Sequence, residues 1–313
     1  MVSREEFTYD SGNHESKIYA VYWKPEGEPR AILQLVHGMQ ERIERYDEFA
    51  RYMAGKGYLV AGEDHLGHGK SVGEGETYGY FCKKDAPGVL VDDVNKLRTI
   101  TQRKYPDIPI IILGHSFGSY ILREYITRYP AGLDGVIIQG TGIQKESTVN
   151  LAIVLATIIQ FFCGSRHRSA LINKIAFGGY LDKIPDAQTA SDWFSHNNES
   201  IQAYLNDPMC NARFTMNGFL TLGSLIKSTQ NLQKMEAIPK TLPIMLASGE
   251  EDPVGNYGES VKELFEIYKN QLRLMNVELK LYEGMRHEIL QETDRTKVFD
   301  DFDAWISKIT KER

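Results

Sequence analysis

One run of the chain restricts the possible folds more than any other. Residues Ile108 to Ser116 (IPIIILGHS) are apolar as far as Leu113, and the segment that follows at once, Phe117 to Tyr129, has helical spacing. The junction reads Gly114-His115-Ser116-Phe117-Gly118, a Gly-x-Ser-x-Gly pattern set between a strand and a helix. Passing directly from one to the other takes a turn so tight that side chains at both glycine positions would collide with backbone. Ser116 is therefore expected to stand at the carboxyl edge of a sheet, with the positive end of the helix beside it.

The rest of the chain supplies the sheet. Strand signals at Phe7–Tyr9 and Ile18–Trp23 are followed by buried runs at Ala31–Gly38, Tyr58–Asp64, Ile108–Ser116 and Leu133–Gly140. Helical patterns at Arg45–Ala54, Val89–Lys104 and Phe117–Tyr129 separate these runs. Such alternation demands parallel pairing through right-handed crossovers. It stops between Thr141 and about Ala237, where the patterns are mostly helical, and resumes with Thr241–Gly249, a helix over Ser260–Asn270, Val277–Gly284 and a closing helix from Thr293 to Lys311. The expected architecture is an α/β-hydrolase fold: a mostly parallel central sheet with helices on both faces, formed by residues 1–140 and 237–313, and a helical cap over residues 141–236.

A serine hydroxyl becomes a nucleophile only when a base removes its proton. Of the eight histidines, His287 follows the last expected strand, in EGMRHEIL, and so reaches the carboxyl edge. Asp252, in SGEEDPVG after the strand Thr241–Gly249, arrives at the same edge to orient the imidazole, with Glu250 and Glu251 as rivals in the loop. Ser, Asp and His come in that chain order, the order of this fold. His115 is expected to pack against the core, and His14, His167 and His196 to lie on the surface or cap. The backbone N–H groups of Met39, after the strand Ala31–Gly38, and of Phe117 are the expected oxyanion donors. His37 is expected to brace that loop, and is placed with Ile153, Ile158, Phe161 and Phe162 as lining of the substrate pocket.

A net charge of −6 with scattered Lys and Arg gives no footprint for nucleic acid. The short basic cluster Arg166-His167-Arg168 reads as a solvated turn. Cys82, Cys163 and Cys210 form no CxxC pair, so neither a disulfide framework nor a zinc site is expected, and a reducing, cytoplasmic setting fits. Residues Met1 to Asp10 (MVSREEFTYD) lack the apolar stretch of a secretory signal. The uncharged run between Glu146 and Arg166 approaches the length of a membrane span, but Asn150, Thr157 and Gln160 interrupt it. An apolar cap helix lying over a pocket or touching a membrane surface is the expectation.

These motifs together resemble a known family. His37–Ser71, containing Asp64-His65-Leu66-Gly67-His68-Gly69 and Ser71 in a D-x-x-G-H-G-x-S turn, is similar to the monoacylglycerol lipase and lysophospholipase-like branch of the α/β-hydrolases, also called serine aminopeptidase-like. GHSFG, SGEEDPVG and GMRHEIL extend the resemblance across the core, and Asn206-Asp207-Pro208 resembles a cap segment of these lipases. The resemblance implies hydrolysis of carboxylic esters of glycerol or glycerophospholipid, with no metal and no organic cofactor. Family members more often carry Met where Phe117 stands, which leaves the N–H in place and puts the acyl preference in doubt. Two alternatives stay open. An aminopeptidase or amidase would need an amine anchor, for which Asp182, Asp186, Asp192 and Glu199 are available, and a non-catalytic ligand binder would keep only the shell. Oligomeric state is not legible.

Overall fold

The computed structural model describes residues 2–311; Met1, Glu312 and Arg313, the outermost positions of the two expected core segments, lie outside the described residues. Eight strands form one sheet in the order β1-β2-β4-β3-β5-β6-β7-β8. The hairpin β1 (Ser3–Asp10) and β2 (Lys17–Lys24) is antiparallel, and β2 also pairs antiparallel with β4 (Tyr58–Glu63). From there β3 (Ala31–Val36), β5 (Ile110–His115), β6 (Gly135–Gln139), β7 (Ile244–Gly249) and β8 (Val277–Tyr282) continue in parallel. β3 to β7 are buried along their whole length. That is why these strands read as continuous apolar runs without alternation.

Helices close both faces. α1 (Asp47–Gly55) and α10 (Arg295–Lys311) pack on one side, where Phe49, Met53, Phe299, Phe302 and Trp305 join β-strand residues such as Leu33 and Ile137 in a buried cluster. On the other side lie α2 (Ala86–Lys104) and α3 (Phe117–Arg128), with Leu90, Val94, Ile121 and Leu122 against Ile32, Ile112 and Val136. α2 starts where Asp85 accepts from the Gly88 N–H and Pro87 occupies the first turn, a position that needs no proline donor.

Between β6 and β7 the chain adds no strand. It forms α4 (Glu146–Cys163), α5 (Ala170–Phe177), α6 (Asn198–Asn206), α7 (Met216–Thr229) and the short α8 (Leu232–Met235), with α4 packed along α7 and α7 resting on α3. α9 (Glu259–Glu266) then returns to the sheet. In this topology the loops after β3, β5, β7 and β8 leave the same, carboxyl edge, below the inserted helices.

Candidate active site

Ser116 occupies the turn between β5 and α3 with φ 52° and ψ −117°, a backbone state that an L-residue adopts only when its surroundings enforce it. The enforcement is visible on both sides. A Cβ at Gly118 would sit 2.1 Å from the Val36 carbonyl oxygen, and one at Gly114 would lie 2.6 Å from that of Gly118. The Ser116 N–H donates to the Gln139 carbonyl at 3.0 Å, tying the elbow to β6.

His287, from the loop after β8, and Asp252, from the loop after β7, are both buried and meet at 2.9 Å between Nδ1 and Oδ2. Asp252 is fixed in turn by the Val254 N–H at 2.8 Å and the Ser248 hydroxyl at 3.2 Å. Burial pushes the imidazole's affinity for a proton down, but the charge and hydrogen bond of Asp252, assisted by Glu288, outweigh it and raise His287 above the ordinary histidine value. Of the rival acids, Glu250 is exposed and Glu251 turns outward to His196. The His115 ring lies tilted beside that of His287 with centroids 4.7 Å apart, and burial, then the proximity of His287, holds it neutral, down to about 3. Ser116 and His287 share one cavity wall, and among the described residues no hydrogen bond joins them, as is common in resting hydrolases.

The loop after β3 is fastened amide by amide. The Gly38 N–H donates to Glu41 Oε1 at 2.5 Å, the Gly38 carbonyl accepts from His37 Nδ1 at 2.7 Å, and the Gln40 N–H donates to His68 Nε2 at 3.3 Å. The Gln40 carbonyl accepts from the Asn211 N–H at 2.9 Å. Between them the Met39 N–H has no protein acceptor among the described residues, and neither has that of Phe117 in the unsatisfied first turn of α3. Two free amides beside a serine hydroxyl can bind a developing oxyanion.

A cavity of about 610 Å³ opens over these groups, lined by Ser116, Phe117, Met39 and His287 below and by Val149, Ile153, Phe177, Trp193 and Phe219 from the segment inserted between β6 and β7. Its size suits a lipid-sized ligand. Four expected lining residues are corrected. His37 is fully buried behind the loop, engaged by Gly38 and His65, and does not reach the cavity. Ile158, Phe161 and Phe162 lie on the outer face of α4, with Phe161 83% and Phe162 79% exposed; Ile153 is the member of that set on the inner face. Asp182, Asp186, Asp192 and Glu199 also lie outside the lining. No group of three or more His, Cys, Asp or Glu side chains with metal-ligand geometry exists among the described residues.

The sequence model of the family described as "Serine aminopeptidase, S33" matches residues 27–294. The chain belongs to this α/β-hydrolase family. Monoacylglycerol lipase of Mycolicibacterium smegmatis is 28% identical over 292 residues, 92% of each chain. Human monoglyceride lipase is 27% identical over 299 residues, covering 94% of this chain and 88% of the human protein. Among solved structures, a thermostable carboxyl esterase from Bacillus coagulans in complex with glycerol superposes with a TM-score of 0.90 at 28% identity, covering 99% of this chain and 100% of the esterase.

Two features of this hydrolase escaped sequence reasoning. Glu41 anchors Gly38 and accepts from Tyr46, while Arg45 bridges Glu41 at 2.9 Å and Glu288 at 2.7 Å, with Tyr204 under its guanidinium at 5.0 Å. This buried network ties the loop after β3 to the residue that follows His287. The segment HGMQERIERY held its signal, since Glu41, Arg45 and Tyr46 all lie within it. Trp193, 5.0 Å from the His287 ring, lines the cavity beside it, and nothing in its sequence setting marked it.

Proposed function

We propose that the chain hydrolyses carboxylic esters of the monoacylglycerol or lysophospholipid kind through an acyl-enzyme, with Ser116 as nucleophile, His287 as general base and Asp252 as the group that orients it. It is a serine ester hydrolase, in keeping with the monoglyceride lipases to which it is similar along nearly its whole length. The observation that carries the reading is the convergence of a strained serine, two unengaged amides and a buried Asp-His pair on one largely apolar cavity.

The chemistry follows from the geometry. Ser116 Oγ attacks the ester carbonyl as its proton passes to His287 Nε2, and the imidazolium formed is stabilised by Asp252 at Nδ1. The carbonyl oxygen, now negative, is held by the N–H groups of Met39 and Phe117. Collapse of the tetrahedral species expels the alcohol, protonated by His287, and leaves the acyl group on Ser116. Water, deprotonated by the same histidine, then releases the acid. An amine-anchored peptide substrate fits less well, because Asp182, Asp186, Asp192 and Glu199 stand outside the cavity lining and the two acids within it, Glu41 and Glu288, are paired with Arg45.

The acyl group arrives from a lipid surface, in this reading, and the outer face of α4 makes peripheral contact there. Leu151, Val154, Ile158, Phe161 and Phe162 are exposed together on it, and α4 is the one helix among the described residues apolar and long enough to cross a membrane by length and composition. The free thiols of Cys82, Cys163 and Cys210 agree with a reducing, cytoplasmic setting.

Turnover of a monoacylglycerol and of a p-nitrophenyl ester by Ser116→Ala tests the assignment. Loss of several orders of magnitude with the fold intact is expected; hydrolysis comparable to that of the parent protein would refute it.

A further inference from the structure

We propose that Glu63 is a positioning residue for the oxyanion loop, acting through His65 and His37 to hold the Met39 N–H toward the cavity. The inference rests on the reading of Met39 as an oxyanion donor. The carbonyl of Gly38 and the N–H of Met39 belong to one trans peptide and point in opposite directions. Whatever fixes that carbonyl inward therefore turns the N–H outward. The fixing group is His37 Nδ1, 2.7 Å from the Gly38 oxygen, which must carry the proton because a carbonyl only accepts. His37 is kept in that tautomer from behind: its Nε2 accepts the backbone N–H of His65 at 3.0 Å.

His65 makes a second contact with the same loop. Its Nε2 lies 3.1 Å from the His37 carbonyl oxygen, so this nitrogen donates. The two rings lie against each other with centroids 4.0 Å apart. On its far side His65 Nδ1 faces Glu63 Oε1 at 3.4 Å, and both residues are fully buried. Neither atom has a hydrogen-bond partner among the described residues. A bare Nδ1 would set two acceptors lone pair to lone pair in a dry interior; a proton on Nδ1 joins them. Tyr9 completes the arrangement by donating its hydroxyl to Glu63 Oε2, which leaves the carboxylate as acceptor on both oxygens.

His65 thus donates from both ring nitrogens, to Glu63 and to the His37 carbonyl. Without the carboxylate nothing anchors the Nδ1 side of the ring, and the ring is free to tilt its Nε2–H away from the carbonyl it holds. The hold on the His37 carbonyl is then lost and the peptide carrying the Met39 N–H loosens.

The test combines kinetics with histidine nitrogen NMR on the full chain. In the parent protein, His65 should show protons on both ring nitrogens and His37 only on Nδ1. Glu63→Leu should lower kcat about 10- to 100-fold, the range for a misplaced oxyanion donor, with KM within about twofold. Glu63→Gln, whose amide can still accept from Tyr9 and donate to a neutral His65, should restore most of kcat. A bare Nδ1 on His65 in the parent protein would overturn the proposal even if Glu63→Leu did not fold. So would an unchanged kcat in Glu63→Leu, or a loss that Glu63→Gln does not repair. Failure of the reading beneath it shows separately: Met39→Pro, which removes the N–H itself, would then keep the parent kcat.

Discussion

Replacing Arg45 by Met should destabilise the protein through the charges it leaves behind. The guanidinium is 10% exposed, between Glu41 at 4% and Glu288 at 8%, with ion-pair distances of 2.9 and 2.7 Å. Removing one member of a buried ionic group leaves its partners uncompensated, at a cost of about 3–5 kcal/mol. An unfolding entropy near 2 cal/mol/K per residue, taken over 313 residues, converts this to a fall in Tm of about 5–8 °C. The triple variant Arg45→Met/Glu41→Gln/Glu288→Gln removes every charge of the network, while the amide oxygen introduced at position 41 still accepts from Gly38 and Tyr46. It should recover most of that loss. Scanning calorimetry at neutral pH decides the matter. A single variant melting within a degree or so of the parent, or a triple no more stable than the single, would show that buried charge is not what sets the cost.

Three further outcomes follow from the same coordinates. The acid limb of kcat/KM should have its midpoint above the ordinary histidine value of 6.5, because His287 must be neutral to act and its pKa is raised; a midpoint below that value would contradict the Asp252 contact. Asp93, buried beside Glu63 with its carboxylate on Ser11 and Gly12, is pushed by burial and then by Glu63 up to about 7 from 3.8. Folding therefore takes up a proton there between those pH values, so stability present below pH 3.8 is lost as pH rises toward 7, on the order of 4 kcal/mol. Asp93→Asn should flatten that dependence and raise Tm at pH 8, and an unchanged pH profile of Tm would refute it. Phe161→Ser/Phe162→Ser should weaken co-sedimentation with phospholipid vesicles at least tenfold, since burying one such ring is worth about 1.5–3 kcal/mol, while hydrolysis of a soluble short-chain ester is unaffected; unaltered vesicle binding would remove α4 from the lipid contact.

The sheet was legible because parallel strands covered on both faces must be largely apolar, and β3, β4 and β5 are, with Gln34, Glu63 and His115 as the exceptions. Ser116, Asp252 and His287 were picked out for a related reason: each lies directly after a strand or in the loop that leaves one, and strand ends are what a parallel sheet brings together. The bracing groups were not. Arg45 and Glu288 are 243 positions apart, and no local pattern marks an ion pair across such a span. Glu63 closes β4, inside the run Tyr58–Asp64 that reads as a buried strand, but nothing local shows what its buried carboxylate faces.

The misplacement of Ile158, Phe161 and Phe162 has its own physical cause. Periodicity assigns a helix face only when polar residues mark the opposite one, and α4 has a mean hydropathy of 1.6 over its length, so both faces look alike. The structure divides them: Val149, Ala152, Ile153 and Ala156, spaced as one stripe, turn toward the cavity or α7, and Leu151, Val154, Ile158, Phe161 and Phe162 turn to solvent. A cap helix that served only as a lid would be expected to carry charge on its outer face, as α10 does with Asp300, Lys308 and Lys311. Keeping that face apolar costs solubility and contributes nothing to the packed core. It becomes advantageous only if the face meets a second apolar phase, and the same helix then borders both the lipid from which an ester would be drawn and the cavity in which Ser116 would receive it.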